Sequence, residues 1–209
     1  LILLAMNAEG WRNLCILNTL AGKEGFYRKP RLDAKMLAQY NEGLICSSAC
    51  YAGPISFHIG DEGRDPDKAI ENLKLLKGIF GDRFYKEVMQ IGWEPYDSIV
   101  PELIQIAKDH DVKIIATNDS HYPRKEDFAT KQLMMDIAGW SYEAGELFLK
   151  NSKEMLSGPI EQEFLDNTLE IAERVTFNLD NLFDGYIFPS YDITKDRDYK
   201  EYEKEVKNV

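Results

Sequence analysis

Short apolar runs alternate along this chain with segments whose apolar positions recur three and four residues apart. The clearest run is Ile114, Ile115 and Ala116 within Val112 to Tyr122, preceded by a helix-like segment and ending at Asn118. A β-branched run of that kind predicts a buried parallel strand. Leu1 to Ala5, Leu44 to Ser47 and Phe84 to Met89 read as further strands. Between them, Ala8 to Leu20 predicts a helix that turns Trp11, Leu14, Cys15, Ile16 and Leu17 to the core. Asp33 caps a short helix through Tyr40, which the chain leaves at Gly43. Asp65 and Pro66 open a helix carrying Ile70, Leu73, Leu76 and Phe80, stopped by Gly81-Asp82. Asp97 to His110 is another helix, with Pro101 near its start and Val100, Ile104 and Ala107 on one face. Strand and helix in alternation give an α/β fold with parallel strands. Beyond Tyr122 the pattern becomes helical, over Arg124 to Gly139 and Ile160 to Val175. From Asp192 charge and Tyr dominate, as in a linker or the start of another domain.

At 209 residues, 44% hydrophobic and 29% charged, the chain is an ordinary globular protein with room for one core, or one domain plus a tail. No apolar run approaches the length of a membrane span. Leu1 to Met6 lacks the basic flank of a signal peptide. A start in mid-strand without Met sets the expectation of a piece of something longer. Three cysteines, Cys15, Cys46 and Cys50, form no disulfide framework, which fits a reducing cytoplasm. A net charge of −11 opposes a broad nucleic-acid-binding face. A compact metal site could still act on a phosphate, because a bound cation reverses the local field.

Asp119-Ser120-His121 is the leading chemical candidate: two ligand-type side chains just past the end of a buried strand, where α/β barrels keep their chemistry. The pair suits zinc, manganese or iron, and the carboxylate alone suits magnesium. The same pattern also serves turn capping with a surface His. Cys50 follows the Leu44 to Ser47 strand and is either a small buried hydrophobe or a third ligand. Cys15 and Cys46 read as packing residues, and His58 and His110 as surface residues. Glu87 points either toward a barrel mouth or toward solvent. The basic, glycine-containing stretch from Ala21 to Arg31 could meet phosphate or a partner protein, or simply be solvated. No glycine-rich phosphate loop, Gly-x-Ser-x-Gly elbow or Cys-x-x-Cys pair occurs.

Several blocks then carry a resemblance: Glu24-Gly25-Phe26-Tyr27-Arg28-Lys29-Pro30-Arg31, Glu42-Gly43-Leu44-Ile45, Ser48-Ala49-Cys50, Phe80 to Tyr85, Ala116 to Tyr122, and Asn167 to Arg174. In this order they resemble the N-terminal polymerase-and-histidinol-phosphatase (PHP) domain of bacterial replicative DNA polymerase III alpha subunits. The resemblance implies a distorted seven-stranded β/α barrel, here incomplete at its N-terminus, over residues 1–180, with 181–209 as a charged linker toward the polymerase domain. It implies metal ligands at Cys50, Asp119 and His121, with zinc or manganese there and magnesium in the polymerase domain. It also implies phosphoesterase chemistry in the form of 3′→5′ proofreading. The parent chain would take DNA and deoxynucleoside triphosphates and work in the cytoplasm with a sliding clamp and a proofreading subunit, away from membranes. The family's first His-x-His motif has no counterpart here, and Ile91 stands before Gly92 where many members have His. Two alternatives follow: a metal-free docking domain of the polymerase, or a free-standing PHP phosphoesterase.

Overall fold

The protein is described from a computed structural model, which covers residues 1–139 and 144–178. Four strands lie side by side in sequence order among these residues: β1 (Ile2–Ala5), β2 (Leu44–Ser47), β3 (Phe84–Val88) and β4 (Lys113–Ala116). β2, β3 and β4 are parallel, with Cys46 opposite Phe84 and Glu87 opposite Ile115. β1 departs from the parallel expectation and runs antiparallel to β2, Leu3 facing Cys46. An apolar run records burial, and burial has no direction along the chain.

Helix α1 (Ala8–Lys23) joins β1 toward β2, capped by the Asn7 side chain, which accepts from the Gly10 N–H at 2.9 Å. Its buried stripe is Gly10, Asn13, Leu17 and Ala21, and Cys15 is exposed, contrary to the expected core position. The helix rolls this way because Gly10 backs onto the chain at Gly43, where a Cβ would fall 1.9 Å from the Gly43 carbonyl oxygen. Asn13 Nδ2 meets the Glu42 carbonyl at 2.9 Å on the same side. Helix α2 (Ala34–Gln39) is capped by Asp33 as expected.

The β2–β3 crossover holds a single turn, α3 (Ser56–Ile59), and the long helix α4 (Pro66–Phe80), whose Asp65 cap accepts from Lys68 N–H at 3.0 Å. Ala69, Leu73, Leu76 and Phe80 form its buried stripe. The expected Asp97–His110 helix is two pieces, α5 (Glu94–Asp97) and α6 (Val100–Asp109). Asp97 is pulled back to accept from the amides of Ile91 and Gly92 at 3.1 and 2.8 Å, so the first piece stops there. After β4 come α7 (Phe128–Ile137), preceded by a turn at Lys125–Asp127, then α8 (Ser152–Met155) and α9 (Gln162–Arg174).

The pleat divides the sheet residues between two faces. Leu44, Cys46, Phe84, Val88, Ile114 and Ala116 join the main core with α4 and α6. Full burial of one such aliphatic side chain, Leu73 for example, is worth about 1.5–3 kcal/mol. Ile45, Tyr85 and Ile115 face the other way and pack on Ile171 of α9. That side is closed at its edge by Tyr85, whose hydroxyl donates to Glu170 at 3.0 Å and accepts from Arg174 at 2.8 Å. The Lys113 ammonium, hydrogen-bonded to Glu170, holds that carboxyl below its usual range. Residues 1–177 make one compact unit. The charged segment from Asp192 lies outside the described residues.

Candidate functional site

β4 delivers the Asp119–His121 loop. Past Ala116 the Thr117 N–H still donates to the Val88 carbonyl at 3.0 Å, and then the chain leaves the sheet. Asn118 Nδ2 donates to the Phe148 carbonyl at 2.7 Å, the His121 N–H to Leu147 at 2.8 Å, and the Leu149 N–H to Tyr122 at 3.1 Å. Residues 118–122 are thus laced to 147–149, which fixes where the two candidate ligands stand.

The structure brings Asp119 and His121 together: His121 Nε2 lies 3.1 Å from Asp119 Oδ2. Both side chains stay about half exposed, 49% and 44%. A neutral imidazole donating Nε2–H to the carboxylate keeps its Nδ1 lone pair for a ligand. His121 also lines a cavity of about 480 Å³ with Tyr122, Pro123, Lys131 and Met134.

Cys50 is exposed, on the turn that follows β2, where Ala49 adopts φ 58° and the Gly53 N–H closes onto the Cys50 carbonyl at 2.9 Å. It adds no third donor to the pair: among the described residues no three His, Cys, Asp or Glu side chains are grouped so as to hold a metal ion. Two donors that already satisfy each other are an incomplete site, and no chemical step can be routed through a metal on these residues alone.

Beneath the loops lies a buried polar network. Glu87, 3% exposed, accepts from the Ser47 hydroxyl at 2.5 Å and from the Thr117 hydroxyl at 2.6 Å, so it spans the ends of β2, β3 and β4. On the opposite face of β3, Lys86 is fully buried, its ammonium donating to Ser48 Oγ at 3.1 Å, Ser56 Oγ at 3.2 Å and the Glu87 carbonyl. Burial pushes the Lys86 amine down from 10.5 to about 7, against the opposing pull of Glu87 and Cys50. Burial likewise raises the Cys46 thiol to about 12, which leaves it a packing residue as expected.

Residues 1–90 match the PHP domain family. The chain is 36% identical to the DNA polymerase III subunit alpha of Aquifex aeolicus across 99% of its own length, and 34% identical to that of Treponema pallidum across 97%. The Thermus aquaticus subunit is 33% identical across 86%. The chain is thus similar to the PHP domain family over residues 1–90 and to DNA polymerase III alpha subunits along most of its own length. It spans only 19%, 18% and 16% of the lengths of those three relatives.

The strand-end position of Asp119 and His121 was legible in the sequence, and the buried Lys86–Glu87 network was not. Its signal lay in the alternation of Phe84-Tyr85-Lys86-Glu87-Val88, which puts Lys86 on the face of Phe84 and Val88. Glu87 turns out to be buried, so its expected alternative of facing solvent does not hold. His58 and His110, expected on the surface, are half-buried, with Nδ1 3.2 Å from the Gly63 carbonyl and 2.9 Å from the Ile106 carbonyl. Among the described residues no helix is long and apolar enough to cross a membrane.

Proposed function

We propose that the chain is the PHP part of a replicative polymerase alpha subunit, whose parent chain extends DNA from deoxynucleoside triphosphates in the cytoplasm. The observation that carries this reading is similarity to DNA polymerase III alpha subunits along 86–99% of the chain. Residues 1–180 would be the PHP domain and 181–209 the linker. The four strands would belong to a seven-stranded β/α barrel in the parent. DNA, the polymerase domain, a sliding clamp and a proofreading subunit would be its partners, and magnesium would serve the polymerase domain.

At the strand ends, Asp119 and His121 would be two ligands of a zinc or manganese site, with Cys50 drawn in as a third and the remaining donors supplied by the parent chain. A metal there would supply Lewis-acid and water-activating chemistry for 3′→5′ proofreading. A second reading is a docking domain without metal or activity of its own. The contact that closes Asp119 onto His121 favours it, and among the described residues no third donor is grouped with them.

Metal analysis of this chain and of the full-length parent, each beside Asp119→Ala, separates the two. Zinc or manganese retained by the parent and lost with Asp119→Ala, together with 3′→5′ cleavage abolished by the same change, supports the metal site. A parent that polymerises but holds no metal and cleaves nothing leaves the docking domain. A parent that folds but neither binds primed DNA nor extends it would overturn the polymerase reading itself.

A further inference from the structure

We propose that the loop from Lys23 to Arg31 is a contact for single-stranded nucleic acid, its cations meeting phosphates and its rings meeting bases. Lys23, Arg28, Lys29 and Arg31 are all exposed, with Glu24 the one acidic residue among them. Ten other Lys and Arg side chains pair with carboxylates. None of these four does among the described residues. They are therefore free to meet an external anion without first breaking an ion pair.

Two large rings share the loop, Phe26 and Tyr27, each 62% exposed. The guanidinium groups of Arg31 and Arg28 lie 5.1 and 5.7 Å from the Tyr27 ring centre, so cation and ring are held together as one surface. The loop is also pre-shaped. Gly25 N–H donates to the Leu20 carbonyl and Tyr27 N–H to the Lys29 carbonyl, each at 3.1 Å. At its neck a Cβ on Gly25 would lie 1.9 Å from the Arg31 carbonyl oxygen, so the two limbs touch. Such a shape lowers the ordering entropy of binding.

Unpaired bases offer flat faces to exposed rings, and their phosphates offer the anions, so single strands satisfy both halves of the surface. An acidic peptide satisfies only the cations. The net charge of −11 repels nucleic acid elsewhere and confines the contact to this loop. The contact does not depend on a metal at Asp119.

The test is fluorescence anisotropy of a labelled oligo-dT strand with the 209-residue chain across a salt series. Four phosphate contacts predict a slope of log K against log salt of about −2.8. Replacing Arg28 and Arg31 together by Ala should roughly halve that slope. Phe26→Ala should weaken binding about five-fold or more at unchanged slope. Lys74→Ala, an exposed cation on α4, should change neither. All these positions are exposed, so thermal melts should coincide. Absence of binding at low salt, equal binding by the loop variants, or a duplex bound as tightly as oligo-dT would overturn the proposal. So would capture of polyglutamate in place of the oligonucleotide.

Discussion

Replacing Lys86 by Met should remove a pH dependence of stability that the fold itself creates. The amine is buried in the folded chain and titrates near 7, against 10.5 in the unfolded chain. Between those values the unfolded state binds the extra proton, so stability rises as pH rises. Below about 7 the full burden of the buried charge is present, and above about 10.5 it is gone. Integrating over the window from about pH 7.5 to about pH 9.5 gives a gain of about 2–3 kcal/mol from this one group. Lys86→Met keeps the length of the side chain and has nothing to titrate. The partners it leaves behind, the Ser48 and Ser56 hydroxyls and the Glu87 carbonyl, do not titrate in this range, so their loss shifts stability equally at every pH. Urea denaturation of both proteins at several pH values, compared as a difference, cancels the other titrating groups. The wild-type protein should gain on the variant by about 2–3 kcal/mol across the window. A difference that stays flat with pH would refute the buried, down-shifted amine.

Tyr85→Phe removes the hydroxyl that joins Glu170 and Arg174 beneath α9, leaving their polar atoms short of a partner. It should lower stability by about 1–3 kcal/mol in chemical denaturation, with α9 losing protection first in hydrogen exchange. Gly43→Ala forces a Cβ to 2.5 Å from both Asn7 Oδ1 and the Gly10 nitrogen at a φ of +69°. Thermal melting should show a loss of about 2–4 kcal/mol, well beyond that of an ordinary glycine replacement.

Much of the fold could be read from the chain because burial writes a pattern. β2, β3 and β4 stand where the apolar runs end, and the Asp33 and Asp65 caps open α2 and α4 as their side-chain chemistry dictates. What escaped was set by tertiary approach. Cys15 faces solvent because a glycine-to-glycine contact turns α1, and no periodicity in the helix encodes its partner. The break before α6 depends on Asp97 reaching amides five and six residues back. α3 is four residues long, too short to show a helical period. At the site, the sequence located Asp119 and His121 at a strand end. Their closure onto each other, and the distance of Cys50 from them as a ligand, are properties of loop conformation.

Glu87 joins three strands through hydroxyls that are themselves part of the strand ends, with no help from the loops above. The framework is therefore sewn shut below the level at which chemistry would occur. Substitutions at Cys50, Asp119 and His121 should leave the seam intact, because none of them is a stitch in it. The shape of the sheet and the chemistry of its mouth are thus separable properties of the fold.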